Sequence, residues 1–136
     1  MPKAEGKQFT FDKPDKVRKD FLETFPYKGE PQHIEYKTGE FTCVCPFSGL
    51  PDIGTVIIEY VPAKLCLELK SLKYYLVSFR NVGIYQEEVT NRLFKDIYEL
   101  LRPKYLKVTV VYNTRGGIDS TCYIEKGRRK GNSLDK

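Results

Sequence analysis

The sequence predicts an α+β fold, a four-stranded antiparallel sheet carrying two antiparallel helices on one face. Three observations predict it. Two stretches of alternating apolar residues precede a pair of helically spaced segments and two more follow, giving the order β-β-α-α-β-β. Each helical segment has an apolar stripe that needs a sheet face to cover it. A length of 136 residues suits one such domain and leaves no mass for a second core. The expected division is a single domain over 1–136, with a loose arm at 1–15 and a basic disordered tail at 127–136.

Taken in order, residues 1–15 are polar and contain Pro2, Gly6 and Pro14, which marks the arm. Residues 17–25 are expected to form one or two helical turns. Over 33–45, Ile34, Tyr36, Phe41, Cys43 and Cys45 fall on one side and Thr42 and Val44 on the other. That is a strand interrupted by a turn near Thr38 and Gly39. Pro46 to Pro51 is turn chemistry, and 55–61 is a β-branched strand closed by Pro62. Residues 66–79 place Leu69, Leu72 and Leu76, with Tyr75 and Phe79, at helical spacing, and Gly83 breaks the run. A longer helix covers 86–101, with Val89, Leu93, Phe94, Ile97, Leu100 and Leu101 in one stripe and Pro103 as its stop. Residues 105–112 alternate as a third strand, Arg115-Gly-Gly117 is a turn, and 120–125 is the fourth strand. Such a sheet has two open edges. Pairing those edges between copies into a closed barrel removes the liability, so a homo-oligomer is expected.

Hydrophobic residues at 40% and charged residues at 30% are ordinary for a soluble globular chain. No apolar run approaches the roughly 20 residues that span a bilayer, so no membrane partner is expected. The first ten residues lack the apolar core of a secretory signal, which points to the cytoplasm. The four cysteines are then expected to be reduced. The net charge of +5 suits an anionic ligand, although Lys126, Arg128, Arg129 and Lys130 read as a solvated tail.

Cys45 stands at a strand end just before a turn, where chains tend to display chemistry. A thiolate there is a nucleophile for an electron-poor carbon. Asp52 lies seven residues on, across the turn, where a carboxyl can shuttle protons. The plainer reading of spacing alone is a buried cysteine and a turn-forming aspartate. Cys43, Cys66 and Cys122 read as packing residues. Cys43, Cys45 and His33 lack a fourth zinc ligand, so no metal is expected. Lys70 and Lys73 share a helix face and either grip phosphates or form a solvated basic surface. Glu68 and Glu87 are each able to accept two adjacent N–H donors of a purine-like ring in bidentate fashion. For Glu87 the alternative is a first-turn residue favoured by the helix dipole. No Gly-x-Gly-x-x-Gly run exists, so any nicotinamide cofactor is held without a Rossmann fold.

Glu68-Leu-Lys-Ser-Leu-Lys-Tyr-Tyr75, followed by Ser78-Phe-Arg-Asn81, resembles the signature of the 7-cyano-7-deazaguanine reductases of queuosine biosynthesis. The resemblance extends to Cys45-Pro46, to Gly49-x-Pro51-Asp52, to Glu87 within Tyr85-Gln-Glu-Glu88, and to Arg115-Gly-Gly117. It runs in order over about residues 30 to 125 and matches the single-module form of the family. It implies the tunnelling fold and NADPH-dependent reduction of a nitrile to an aminomethyl group through a cysteine thioimide. By resemblance, Cys45 matches the nucleophile and Asp52 the proton donor. Leu67, Glu68, Leu69, Gln86 and Glu87 match the stretches that hold the deazapurine substrate. Lys70, Ser71 and Lys73 match the stretch linked to NADPH, with Arg115 a further phosphate contact. Gln86 departs from the pattern, since most members carry histidine there, and glutamine hydrogen-bonds but does not shuttle a proton. His33, the single histidine, matches no family position.

Competing readings are a tunnelling-fold enzyme acting on pterins or purines, a tRNA-acting nitrile amidinotransferase relative, and an RNA-binding module. The intact segment 68–75 speaks against the transferase, which has no need of NADPH. No direct nucleic-acid contact is expected.

Overall fold

The computed structural model describes residues 1–7 and 9–128. Eight regular elements follow two 3-10 turns, Pro14–Lys16 and Lys19–Phe21. They are β1 (Thr24–Pro26), β2 (Ile34–Val44), β3 (Pro51–Val61), β4 (Leu65–Leu67), α1 (Leu69–Val77), α2 (Gln86–Leu101), β5 (Tyr105–Arg115) and β6 (Ile118–Gly127). The main sheet is antiparallel in the order β2-β3-β5-β6, and β1 and β4 form a separate antiparallel ribbon. The predicted α+β architecture is therefore present. β2 and β6 each pair on one side only among the described residues.

The core forms where the sheet's inward positions meet the helix stripes. Phe41, Val56, Ile58, Tyr60, Leu106, Val108 and Val110 come from the sheet, with Leu72, Tyr75 and Phe79 from α1 and its exit. From α2, Val89, Leu93, Ile97 and Leu101 are buried at i, i+4 spacing. Truncating one such leucine costs about 2–5 kcal/mol. The polar member of this interface is satisfied: buried Asp96 accepts from Tyr75 Oη at 2.7 Å and from Arg92 Nε at 2.8 Å.

Several segments differ from the sequence expectation. The helical turns expected at 17–25 are a 3-10 turn followed by β1, because residues 24–26 pair with residues 65–67. The helix expected from Cys66 begins at Leu69. Cys66 and Leu67 are strand residues, and Leu67 N–H donates to Tyr60 Oη at 2.9 Å. The turn expected at Thr38 and Gly39 is a register shift between Thr38 and Phe41 within one continuous strand. β3 starts at Pro51, since Pro51 and Asp52 pair with Val44 and Cys43. Gly127, expected in the tail, is the last residue of β6, and Arg128 N–H donates to Lys104 O at 3.0 Å. Residues 129–136 of the expected tail lie outside the described residues.

The helices run in opposite directions along the sheet. Leu67, at the entry to α1, lies beside Tyr36 and Tyr60, whereas Phe79, just past its end, packs at a tilt against Phe41 with ring centroids 5.4 Å apart. The chain then reaches the end of β2, where Val44 N–H donates to Val82 O at 3.0 Å. α2 starts there, with Gln86 bonded to Ser120, and ends beside Lys126, whose ammonium lies 4.8 Å from the Tyr98 ring.

Candidate active site

Five segments converge at the end of the sheet where β2 gives way to β3. Cys45 is half-buried one residue past β2. Its amide donates to Leu50 O at 2.9 Å and its carbonyl accepts from Gly49 N–H at 2.8 Å, closing a tight loop over 46–50. Gly49 takes φ +73°, a left-handed conformation that favours glycine. The loop wraps the thiol. The amides of Ser48 and Phe47, helped by the Ser48 hydroxyl and the Arg115 charge, hold the Cys45 pKa below that of an ordinary cysteine, against the opposing effect of partial burial.

Asp52 is buried opposite Cys43 in the β2–β3 register and is ion-paired with Arg115. Arg115 is placed by the hairpin that follows it. Gly116 and Gly117 both have positive φ, which the twist of a two-residue hairpin requires. Cys43 is fully buried, and burial pushes its thiol up to about 11. Packing is its role, as its place on the inward face implied. The Tyr112 hydroxyl reaches the Cys43 neighbourhood, and burial raises its pKa as well. A Cβ on Gly54 would meet the Val111 carbonyl oxygen at 2.8 Å and the Tyr112 ring at 3.3 Å, so the bare glycine lets β5 lie close against β3 here.

The first turn of α2 roofs this end. Gln86 Oε1 accepts from Ser120 Oγ at 2.6 Å, and Glu87 is exposed beside it. Ile84 N–H donates to Val44 O at 3.2 Å, so the loop leading into α2 is stitched to the residue before Cys45. The structure thus brings Cys45, Asp52, Gln86, Glu87 and Arg115 to one end of the sheet. His33 lies elsewhere, 3.3 Å from Glu59 and near the Tyr105 ring.

The remaining predicted site residues lie along α1. Glu68 caps that helix: its two carboxylate oxygens accept from Ser71 N–H at 2.8 Å and Lys70 N–H at 3.0 Å. Ser71 is buried, and its hydroxyl donates to Glu68 O at 2.7 Å and accepts from Glu23 N–H at 2.9 Å, which fastens β1 to the helix start. Leu67 is fully buried and Leu69 is 58% exposed. Lys70 and Lys73 are exposed on the rim of a cleft of about 820 Å³ between α1 and the open edge of β2. Lys37 and Arg80 add two cations to its wall, and Phe41, Val56, Ile58 and Leu72 line it with apolar surface. Along β2, Tyr36 at the α1 entry and Cys45 are roughly 25–30 Å apart at the usual rise per strand residue.

Residues the sequence reading passed over include Ser48 and Phe47 on the thiol, Ser120 on Gln86, and Lys37 and Arg80 on the cleft. Strand alternation offered a signal for Ser120 and Tyr112, which share the inward face of Val110. The others depend on loop geometry or on packing between distant segments. No group of three His, Cys, Asp or Glu residues among the described residues is placed to hold a metal.

The sheet with both helices on one face, and a cysteine, a carboxylate and an arginine gathered at its end, defines a tunnelling-fold protein with a thiol-centred site. A profile of the family described as "QueF-like protein" matches residues 51–131. The chain is 54% identical over 134 residues to proteins of Thermotoga petrophila and Thermotoga maritima, covering 96% of this chain and 98% of each relative. It is 44% identical over 116 residues to a protein of Chlorobaculum tepidum, covering 84% and 99%. All three relatives are named NADPH-dependent 7-cyano-7-deazaguanine reductase. Among solved structures, an archaeosine synthase QueF-Like in the apo form superposes with a TM-score of 0.68 at 29% identity, over 74% of this chain and 99% of that one. The chain belongs to the QueF-like family.

Proposed function

We propose that this protein is an NADPH-dependent oxidoreductase that reduces the nitrile of 7-cyano-7-deazaguanine to an aminomethyl group. The observation that carries the reading is the Cys45 loop, which favours the thiolate and lies within the influence of Arg115, the ion-pair partner of the buried Asp52 carboxylate. Near full-length similarity to the Thermotoga reductases supports the same activity.

In this reading Cys45 sulfur attacks the nitrile carbon, a C–S bond forms, and the nitrile nitrogen takes a proton, giving a thioimide. A carboxylate paired with a guanidinium rests as a proton acceptor. Asp52 therefore takes a proton before it gives one: the Cys45 thiolate forms and the adduct nitrogen is protonated through solvent, and Asp52 then carries protons to that nitrogen as the thioimide is reduced, so atoms and charge balance. Glu87, above the thiol end, and Glu68 accept the N–H donors of the deazaguanine ring, and Gln86 adds a hydrogen bond. Leu69, exposed beside Glu68, flanks the ring, and Leu67, fully buried, supports Glu68 from within the core. NADPH, when bound, supplies the reducing equivalents for the two successive two-electron reductions. The cleft beside α1 fits it, because Lys70, Lys73, Lys37 and Arg80 surround an apolar floor. Those cations hold the phosphates, Arg115 is a further phosphate contact, and Ser71 acts through the helix cap.

The Cys45 group and the Glu68–Lys73 group lie toward opposite ends of the chain's sheet. The site is therefore completed between two copies, with the open edges of β2 and β6 closing a barrel. Exposed Ile53, Val111 and Tyr123 on the helix-free face support burial there in an assembly. No helix among the described residues is long and apolar enough to cross a membrane. We place the enzyme in the cytoplasm, acting on a free small molecule without direct contact to nucleic acid.

The test is absorbance at the NADPH band with and without the nitrile base. Nitrile-dependent loss of NADPH, with the aminomethyl product identified by mass, supports the reading. NADPH that stays constant while the nitrile is consumed with ammonia would favour an amidinotransferase instead.

A further inference from the structure

We propose that the N-terminal arm, residues 9–12, is a positioning element that holds the loop over 46–50 in its shape around Cys45. The inference rests on the reading of Cys45 as the nucleophile.

The arm was expected to hang loose. It instead touches both walls of the thiol's surroundings. On one side, Phe9 N–H reaches Ser48 O at 3.5 Å, and the Phe9 carbonyl lies so close to Gly49 that a Cβ there would meet its oxygen at 2.5 Å. Ser48 and Gly49 belong to the loop around the thiol: the Ser48 amide lowers the Cys45 pKa, and the Gly49 amide donates to the Cys45 carbonyl. On the other side, Asp12 N–H donates to Asn81 O at 2.7 Å, and Gly83 N–H donates to Asp12 O at 2.8 Å. The Phe11 ring covers Gly83 so closely that a methyl group there would overlap it. Gly83 in turn bridges Val44, the residue before Cys45. Residues 81–84 are therefore sandwiched between the arm and the end of β2, and the arm spans from that sandwich to the loop over 46–50. A loop of five residues held only by its own two closing bonds would sample several shapes. The arm adds contacts from outside at the residues that set the direction of the Ser48 amide.

Phe9 and Phe11 are uncharged, so their removal changes no charge near the sulfur. The charge that does bear on it, Arg115 from β5 with its partner Asp52 from β3, stays in place, as do the titratable groups on the surrounding elements, Cys43 on β2, Glu87 on α2 and Asp12 on the arm.

The experiment is the rate of iodoacetamide alkylation mapped to Cys45 as a function of pH, in the full-length protein without substrate. Wild type is compared with Phe11→Ala, Phe11→Leu and Gly83→Ala. The last variant displaces the ring from the opposite side, without altering the arm. Phe11→Ala and Gly83→Ala are each expected to shift the titration midpoint upward and to lower the rate at neutral pH about three- to tenfold, a shift of up to about one pKa unit. Phe11→Leu, which restores apolar cover, is expected to recover most of the rate. If one variant fails to fold, the other gives the answer. Amide hydrogen exchange of the wild type adds a measurement that needs no variant, with Gly83 and Ser48 expected to be protected together. An unchanged profile in folded Phe11→Ala or Gly83→Ala, or fast exchange at Gly83, overturns the proposal. A shifted profile in a protein whose Cys45→Ala variant still reduces the nitrile would uphold the positioning role and sink the nucleophile reading, so the two failures are distinct.

Discussion

At the Cys45 end of the sheet, five segments are stitched together by backbone bonds, and a buried carboxylate, a thiol and a guanidinium meet within one hairpin's reach. At the α1 end, the polar residues point two ways. Glu68 and Ser71 turn inward to cap and fasten the helix, while Lys70 and Lys73 stand exposed on the rim of an open cleft. The first region is preorganised for bond making. The second offers charge and apolar surface without a closed pocket, next to an unpaired sheet edge. The contrast teaches that a single copy holds Cys45 and Asp52 at one end of the sheet and Lys70 and Lys73 at the other, which is why the proposed site draws on a second chain.

The contrast is broken most severely by removing the thiol. Cys45→Ala is expected to abolish turnover and the covalent adduct together. Mass spectrometry with the nitrile base should show an adduct on wild type alone, and one mapped to Cys43, Cys66 or Cys122 would move the chemistry elsewhere. Asp52→Asn should still allow adduct to form but lower its reduction by roughly 10²–10⁴, the usual contribution of a general acid–base group. Single-turnover NADPH oxidation on preformed adduct reads this, and wild-type rates would reduce Asp52 to a turn residue. At the other end, Lys70→Ala and Lys73→Ala should each weaken NADPH by about 1.5–3 kcal/mol, roughly 10- to 150-fold, with little effect on the nitrile base. Raised salt should act in the same direction. Equal loss of both ligands would mean that the helix only supports the fold. The smallest effect on turnover is expected from Tyr75→Phe, which lies in neither region. It removes one donor from buried Asp96 and should cost about 1–3 kcal/mol of stability in thermal unfolding while leaving activity per folded enzyme unchanged.

Much of the fold was legible because the strongest periodic signals were also the buried ones. The extent of α2 could be read from its stripe and from Pro103, and its stripe is the face that is buried. The misreadings share a cause, which is pairing between segments distant in sequence. Cys66 and Leu67 look helical beside Leu69 and Leu72, yet three residues of β1 and the Tyr60 hydroxyl hold them as a strand. Pro51 and Asp52 look like a turn, yet β2 pairs with them. In the candidate site, the placing of Cys45 and Asp52 at one end of the sheet followed from the turn between them, and Arg115 joined Asp52 through the register of β3 with β5. The cap made by Glu68 was hidden because glutamate is an uncommon N-cap residue. The amides on the thiol and the arm behind them leave no mark in residue type at all.

The most direct measurement mixes two disabled proteins. Cys45→Ala keeps the α1 cleft, and the double charge reversal Lys70→Glu/Lys73→Glu keeps the thiol end. Each should be inactive alone as an assembly. After mixing under conditions that exchange subunits, the account predicts that NADPH oxidation with the nitrile base returns, because some interfaces then pair an intact cleft with an intact thiol. Activity that stays at the sum of the separate variants, with subunit exchange verified, would contradict a site completed between two copies.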